Sequence, residues 1–73
     1  MLTELRYPDR QSALDAKQAI TTLDIRILDA KIRPALPDFK GHKQRKISLW
    51  VNTNSDRDQM ELIKWYRSVT HAA

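Results

Sequence analysis

This chain of 73 residues has no cysteine, one glycine and only five aromatic residues. Without cysteine there is no disulfide, no thiolate chemistry and no cysteine-based zinc site. That usage fits a reducing compartment. One glycine leaves no glycine-rich loop to cradle a phosphate. The two histidines, His42 and His71, lie far apart and have no Ser, Cys or Asp partner at a motif spacing. Neither a metal, a cofactor nor an enzyme activity is expected. No apolar run is long enough to span a bilayer. Met1 to Arg10 carries Glu4 and Asp9 and lacks the apolar core of a signal peptide. The expected location is cytoplasmic, with no membrane partner.

What remains is small and basic. Residues 1–73 make a single domain. So short a chain buries a smaller fraction of its surface than a large one. Small scaffolds compensate with disulfides, a metal, very regular packing or association. Disulfides are excluded and a metal is not expected, so a homodimer or docking on a larger protein is. Thirteen Lys and Arg stand against nine Asp and Glu, a formal net charge of +4. That excess favours anionic partners and says nothing about fold.

The residue pattern predicts an α+β fold in the order βαββα. Thr3, Leu5 and Tyr7 alternate with Glu4 and Arg6, which suits a short strand. Asp9 is placed to cap a helix. Arg10 to Thr21 lacks Gly and Pro and is rich in Ala, Gln and Lys, so it favours helix. Its Ala13, Ala16 and Ile20 share one face. Leu23 to Arg33 shows two blocks of strand period with a phase slip between Ile27 and Leu28, as a β-bulge would produce. The alternative is one long helix over 10–33, with a heptad seam through Ala13, Ala16, Ile20, Leu23, Ile27 and Ala30. The β-branched density of Thr21 to Ile32 favours the strand. Ile47, Leu49 and Val51 alternate with Ser48, Trp50 and Asn52, a third strand. Ser55 and Asp58 resemble a capping box with Asp in place of Glu. Leu62, Trp65, Tyr66 and Val69 form the apolar face of a final helix.

These elements predict a three-stranded sheet with both helices on one face. The first helix would be the crossover between parallel strands. The second and third strands would form a hairpin with a basic loop between them. The other sheet face would be open, with Trp50 pointing into it beside Lys46, Ser48 and Asn52.

The run from Lys40 to Lys46 carries the main functional signal. Four of its seven residues are Lys or Arg. Lys40, Lys43, Arg45 and Lys46 are candidate phosphate contacts, with His42 beside them. Such contacts give affinity without reading sequence and weaken with salt. A solvated, charged loop explains the run equally well. Trp50 is a candidate stacking or anchoring residue. It is also of a type enriched at protein interfaces. Pro8-Asp9 with Asp29-Ala30-Lys31 loosely fits metal-dependent nucleases, in which two carboxylates hold Mg²⁺. Helix capping explains Asp9 better, and an outward strand face explains Asp29 and Lys31.

Arg45 to Asn52, followed by a polar break and a helix through Trp65, resembles the strand and first helix of ribbon-helix-helix DNA-binding proteins. The resemblance spans about a third of the chain. It implies a strand paired across a dimer, with Lys46, Ser48 and Trp50 turned to the major groove. A bulky tryptophan departs from that pattern, as does the lack of a second helix after Trp65.

The expected function is non-enzymatic binding of a nucleic acid, or of nucleic-acid-bound machinery, through the basic loop and Trp50. The alternative is a protein-interaction module, a modulator or inhibitor that docks on an acidic or apolar surface of a larger protein. Compact chains of that kind are common among phage and mobile-element accessory proteins.

Overall fold

The structure, a computed structural model, describes residues 1–34 and 47–70. Strand β1 (Leu2–Tyr7) leads into helix α1 (Arg10–Ala19), which tightens into a 3₁₀ turn at Ile20–Thr22. Strand β2 (Ile27–Pro34), strand β3 (Ile47–Thr53) and helix α2 (Asp56–Thr70) follow. The α+β class and the order βαββα are as the residue pattern predicts. The long helix over 10–33 does not form.

Local chemistry explains where the helices start. The Asp9 carboxylate accepts the Ser12 N–H at 2.7 Å, satisfying a donor that the first turn leaves free. At α2 the Ser55 hydroxyl accepts the Asp58 N–H at 3.3 Å and donates to the Asp58 carboxylate at 3.0 Å. A full capping box would send that carboxylate back to the Ser55 N–H. Aspartate is one methylene shorter than glutamate, and here it meets the hydroxyl instead.

The strand order is β1-β3-β2. Both outer strands run antiparallel to β3, so β1 and β2 are parallel to each other. This corrects the expected arrangement in detail. The crossover through α1 does join parallel strands, but β3 lies between them. The bulge falls where the phase slip predicts it. Ile27 pairs with Thr53 and Asp29 with Asn52, so Leu28 is the extra residue. Residues 23–26 are not strand. The pairing of β2 with β3 ends at Thr53, and only the Asn54 N–H to Arg26 carbonyl bond, 3.1 Å, extends it.

Both helices cover the same sheet face. Leu5, Tyr7, Leu49 and Val51 point to that side and are buried with Ala13, Ala16, Ile20 and Leu62. Each such leucine or isoleucine contributes about 1.5–3 kcal/mol by leaving water. Helix α2 runs alongside β1 in the same direction. Gln59 donates to the Thr3 hydroxyl at 3.0 Å, and the Tyr66 hydroxyl donates to the Arg6 carbonyl at 2.8 Å. Seven helical residues and three strand residues each advance about 10 Å, so the two ladders stay in step. Tyr66 also meets the Tyr7 ring edge-on, with centroids 5.7 Å apart. One turn later α2 has passed the last rung of the sheet. Val69 is therefore half exposed, although its spacing puts it on the apolar face.

This geometry sets two expectations. Deleting Leu28 removes only the extra residue, so β2 keeps its faces and the protein stays folded. Deleting Ala30 moves Asp29 to the helix side and destabilises it severely; urea titration of both variants checks this. The second concerns Asp9, whose carboxyl is held below its ordinary range, chiefly by the Ser12 N–H. A lowered folded value means stability that is complete above the unfolded value and lost as pH falls through the folded one. Asp9→Ala therefore lowers Tm at neutral pH, and the gap from wild type narrows as pH falls through the lowered folded value of the Asp9 carboxyl.

Candidate functional site

The uncovered sheet face is the candidate site. Alternation places Leu2, Glu4 and Arg6 of β1 on it, with Ser48, Trp50 and Asn52 of β3 and Asp29, Lys31 and Arg33 of β2. The register arranges them in rows across the sheet. Arg6, Ser48 and Arg33 make one row; Glu4, Trp50 and Lys31 the next; Leu2, Asn52 and Asp29 the third.

The first row holds two cations on either side of the central strand, with Cα atoms about 10 Å apart. Ser48 between them has 0% exposure. Its hydroxyl donates to one oxygen of Glu4, and the other oxygen of Glu4 lies 3.3 Å from Arg6 Nε. A buried hydroxyl needs such a partner, and this one also orients the carboxylate. Arg33 makes no ion pair among the described residues. The third row holds Asp29, and the N-terminal ammonium donates to its Asn52 at 2.8 Å. Asp29 meets Lys31 of the middle row at 3.7 Å, both side chains being more than half exposed. An exposed pair of this kind contributes little to stability.

Trp50 occupies the centre of the face. It is half-buried and has no place in the cluster of core residues. Its neighbours across the strands are Glu4 and Lys31. Trp65 and Tyr66, on the other side of the sheet, pack against the core. The open face carries no second aromatic side chain among the described residues, so it offers one ring and not a stacking platform.

Of the sequence-predicted site residues, Trp50 lies where the alternation places it. Lys40, His42, Lys43, Arg45 and Lys46 fall outside the described residues, as does His71. The run does precede Ile47, and Ile47 begins β3 beside Ser48. The chain therefore enters the sheet at the end where Arg6 and Arg33 lie. The sequence alone does not single out Glu4, Arg6, Lys31 and Arg33 as members of one surface. Their strand parity is legible, but their grouping depends on β3 being central. The loose nuclease pattern resolves into structural roles: Asp9 caps α1, and Asp29 pairs with Lys31 on the open face.

The strand order also bears on the ribbon-helix-helix resemblance. In such a protein the strand before the helix pairs with a second copy. Here that strand is β3, and its two sides are occupied by β1 and β2. Comparison with protein-family models, curated proteins and solved structures finds no match.

The position of Trp50 sets an expectation for stability. Trp50→Ala leaves the core intact and costs about 1 kcal/mol, mostly through weaker strand preference. Its neighbour Leu49 is buried, and Leu49→Ala costs about 2–5 kcal/mol. Urea denaturation of the two variants reads the difference.

Proposed function

We propose that this chain is a non-enzymatic binding protein whose open sheet face takes a single-stranded nucleic acid. One observation carries the reading. Two of the three cationic side chains of that face, Arg6 and Arg33, share one end row with Ser48, and the lone indole lies one row away beside the third, Lys31. Phosphates would meet Arg6 and Arg33, and a base would lie against Trp50. Lys31 borders the same ring. In the sequence, the basic run Lys40 to Lys46 immediately precedes Ile47, the first residue of β3. Binding of this form depends on charge and stacking and reads little sequence.

Glu4 sets the strength. It partly neutralises Arg6 in the free protein. Phosphate binding at Arg6 would compete with this ion pair. The carboxylate thus works against indiscriminate polyanion binding.

A protein partner is the second reading, and one feature favours it. The central indole is flanked by a carboxylate on one side and an ammonium on the other. That pattern fits an aromatic anchor within a rim of both charges, as protein interfaces have.

Titration of end-labelled DNA and RNA strands at several salt concentrations tests the first reading. Binding is expected to fall with salt, and removing Arg6 or Arg33 lowers the logarithmic slope by about 0.7 for each phosphate no longer neutralised. Trp50→Ala costs about 1–3 kcal/mol of affinity, and Glu4→Gln raises it. No binding at low salt sinks this reading. Capture of a protein from nuclease-treated lysate, abolished in Trp50→Ala, then supports the second.

A further inference from the structure

We propose that the free edge of β2 pairs with β2 of a second copy of this chain. The two-fold axis passes at Ala30, and the product is a continuous antiparallel sheet of six strands.

The two outer strands of the sheet are finished differently. Helix α2 lies along β1, where Gln59 bonds to Thr3 and Tyr66 to the Arg6 carbonyl. The helix-side residues Leu5 and Tyr7 of that strand are buried. Strand β2, which α1 reaches, is less completely covered among the described residues. Its helix-side residues Ile27, Ala30 and Ile32 are only half-buried, and Leu28 at the bulge is 57% exposed. Beside them runs an open groove of about 330 Å³, lined by Lys17, Ile20, Thr21, Ile25, Ile27 and Ala30. A strand at a sheet edge presents backbone donors and acceptors to any strand of suitable register. Here that edge adjoins apolar surface that α1 and α2 leave incompletely covered.

The charges of β2 select the second copy as occupant and fix its register. Opposed residues in an antiparallel pair share a face. Past the bulge, Asp29, Lys31 and Arg33 lie on the open face, and Ala30 and Ile32 on the helix side. A two-fold pairing centred on Asp29 opposes two aspartates. Centring on Lys31 opposes two lysines. Centring on Ile32 sets Lys31 against the partner's Arg33. Centring on Ala30 sets Asp29 against the partner's Lys31, twice, and brings two alanine side chains together on the axis. Only this last register has unlike charges opposed with no like charges facing. The Asp29–Lys31 pair within one chain is exposed at 3.7 Å, so exchanging it for two pairs across the axis sacrifices little.

The ends of the strand limit what can pair. The bulge at Leu28 interrupts the ladder on one side, and Pro34 has no N–H to donate on the other. The regular stretch between them is Asp29 to Arg33, of which the register centred on Ala30 pairs Asp29 to Lys31 with the same three residues of the partner before the bulge at Leu28 is reached. The contact is isologous, so it uses each β2 edge once and closes.

Sedimentation equilibrium of the full chain over a wide concentration range provides the test. It is read without nucleic acid, so its outcome is independent of the binding reading above. The wild type is expected to show a reversible monomer–dimer equilibrium. Asp29→Lys opposes two lysines at each of two positions, and Lys31→Asp opposes two aspartates. Each variant alone should dimerise about tenfold more weakly. An equimolar mixture of the two sets lysine against aspartate at both positions, and should recover the wild-type constant. Circular dichroism confirms that both variants are folded, since the changes are at exposed positions. A wild type that stays monomeric throughout overturns the proposal. So does a dimer whose constant in the mixture is no tighter than in the single variants.

Discussion

Strand β3 is the constraint on which this molecule depends. It has neighbours on both sides, and neither outer strand touches the other except through it. Its helix-side residues Leu49 and Val51 are fully buried and form the centre of the core. Its end is tied twice more, by the Thr53 N–H to the Met1 carbonyl at 2.8 Å and by the Asn54 N–H to the Arg26 carbonyl. The strand is therefore both the hydrogen-bonding spine and the apolar centre. Because it enters the chain after both of its neighbours, the sheet depends on contacts between residues distant in sequence. Such contacts pay their loop-closure entropy before they are rewarded, and folds built on them form slowly for their size.

Period and capping made most of the elements legible. Alternation marked β1 and β3, the runs at three and four marked both helices, and Asp9 and Ser55 marked where they begin. The slip between Ile27 and Leu28 located a bulge to the residue. Strand order was not legible in the same way, because β1 and β2 offer β3 similar alternating edges and nothing local ranks the pairings. The candidate site was legible only in part for that reason. Trp50 follows from the parity of one strand. The row of Arg6, Ser48 and Arg33 needs three strands in the right order, which no single segment encodes. Leu23 and Ile25 show a related limit: they alternate like a strand and turn inward like one, but no strand extends far enough to pair with them.

The two sheet faces divide the work unequally. The helix side holds the core and carries the structural hydrogen bonds of Gln59 and Tyr66. The other side carries no helix among the described residues; its two arginines share one end row, and Asp29 and the N-terminal ammonium lie at the other. Its one buried polar group among the described residues, Ser48, is satisfied by Glu4. An anion meeting Arg6 would have Glu4 as a competitor, whereas Arg33 makes no ion pair among the described residues.

The placement of the tryptophans has a consequence for how the molecule can be watched. There are two, and the sheet separates them: Trp50 on the open face, Trp65 on α2 against the core. One indole samples whatever approaches the surface, while the other reports on the seating of the helix. A ligand bound on the open face acts on the emission of the first. Loosened packing acts on that of the second. With either one replaced by phenylalanine, the remaining indole becomes a single-site optical reporter native to the chain, and occupancy of the face can be followed separately from the integrity of the fold without any attached dye.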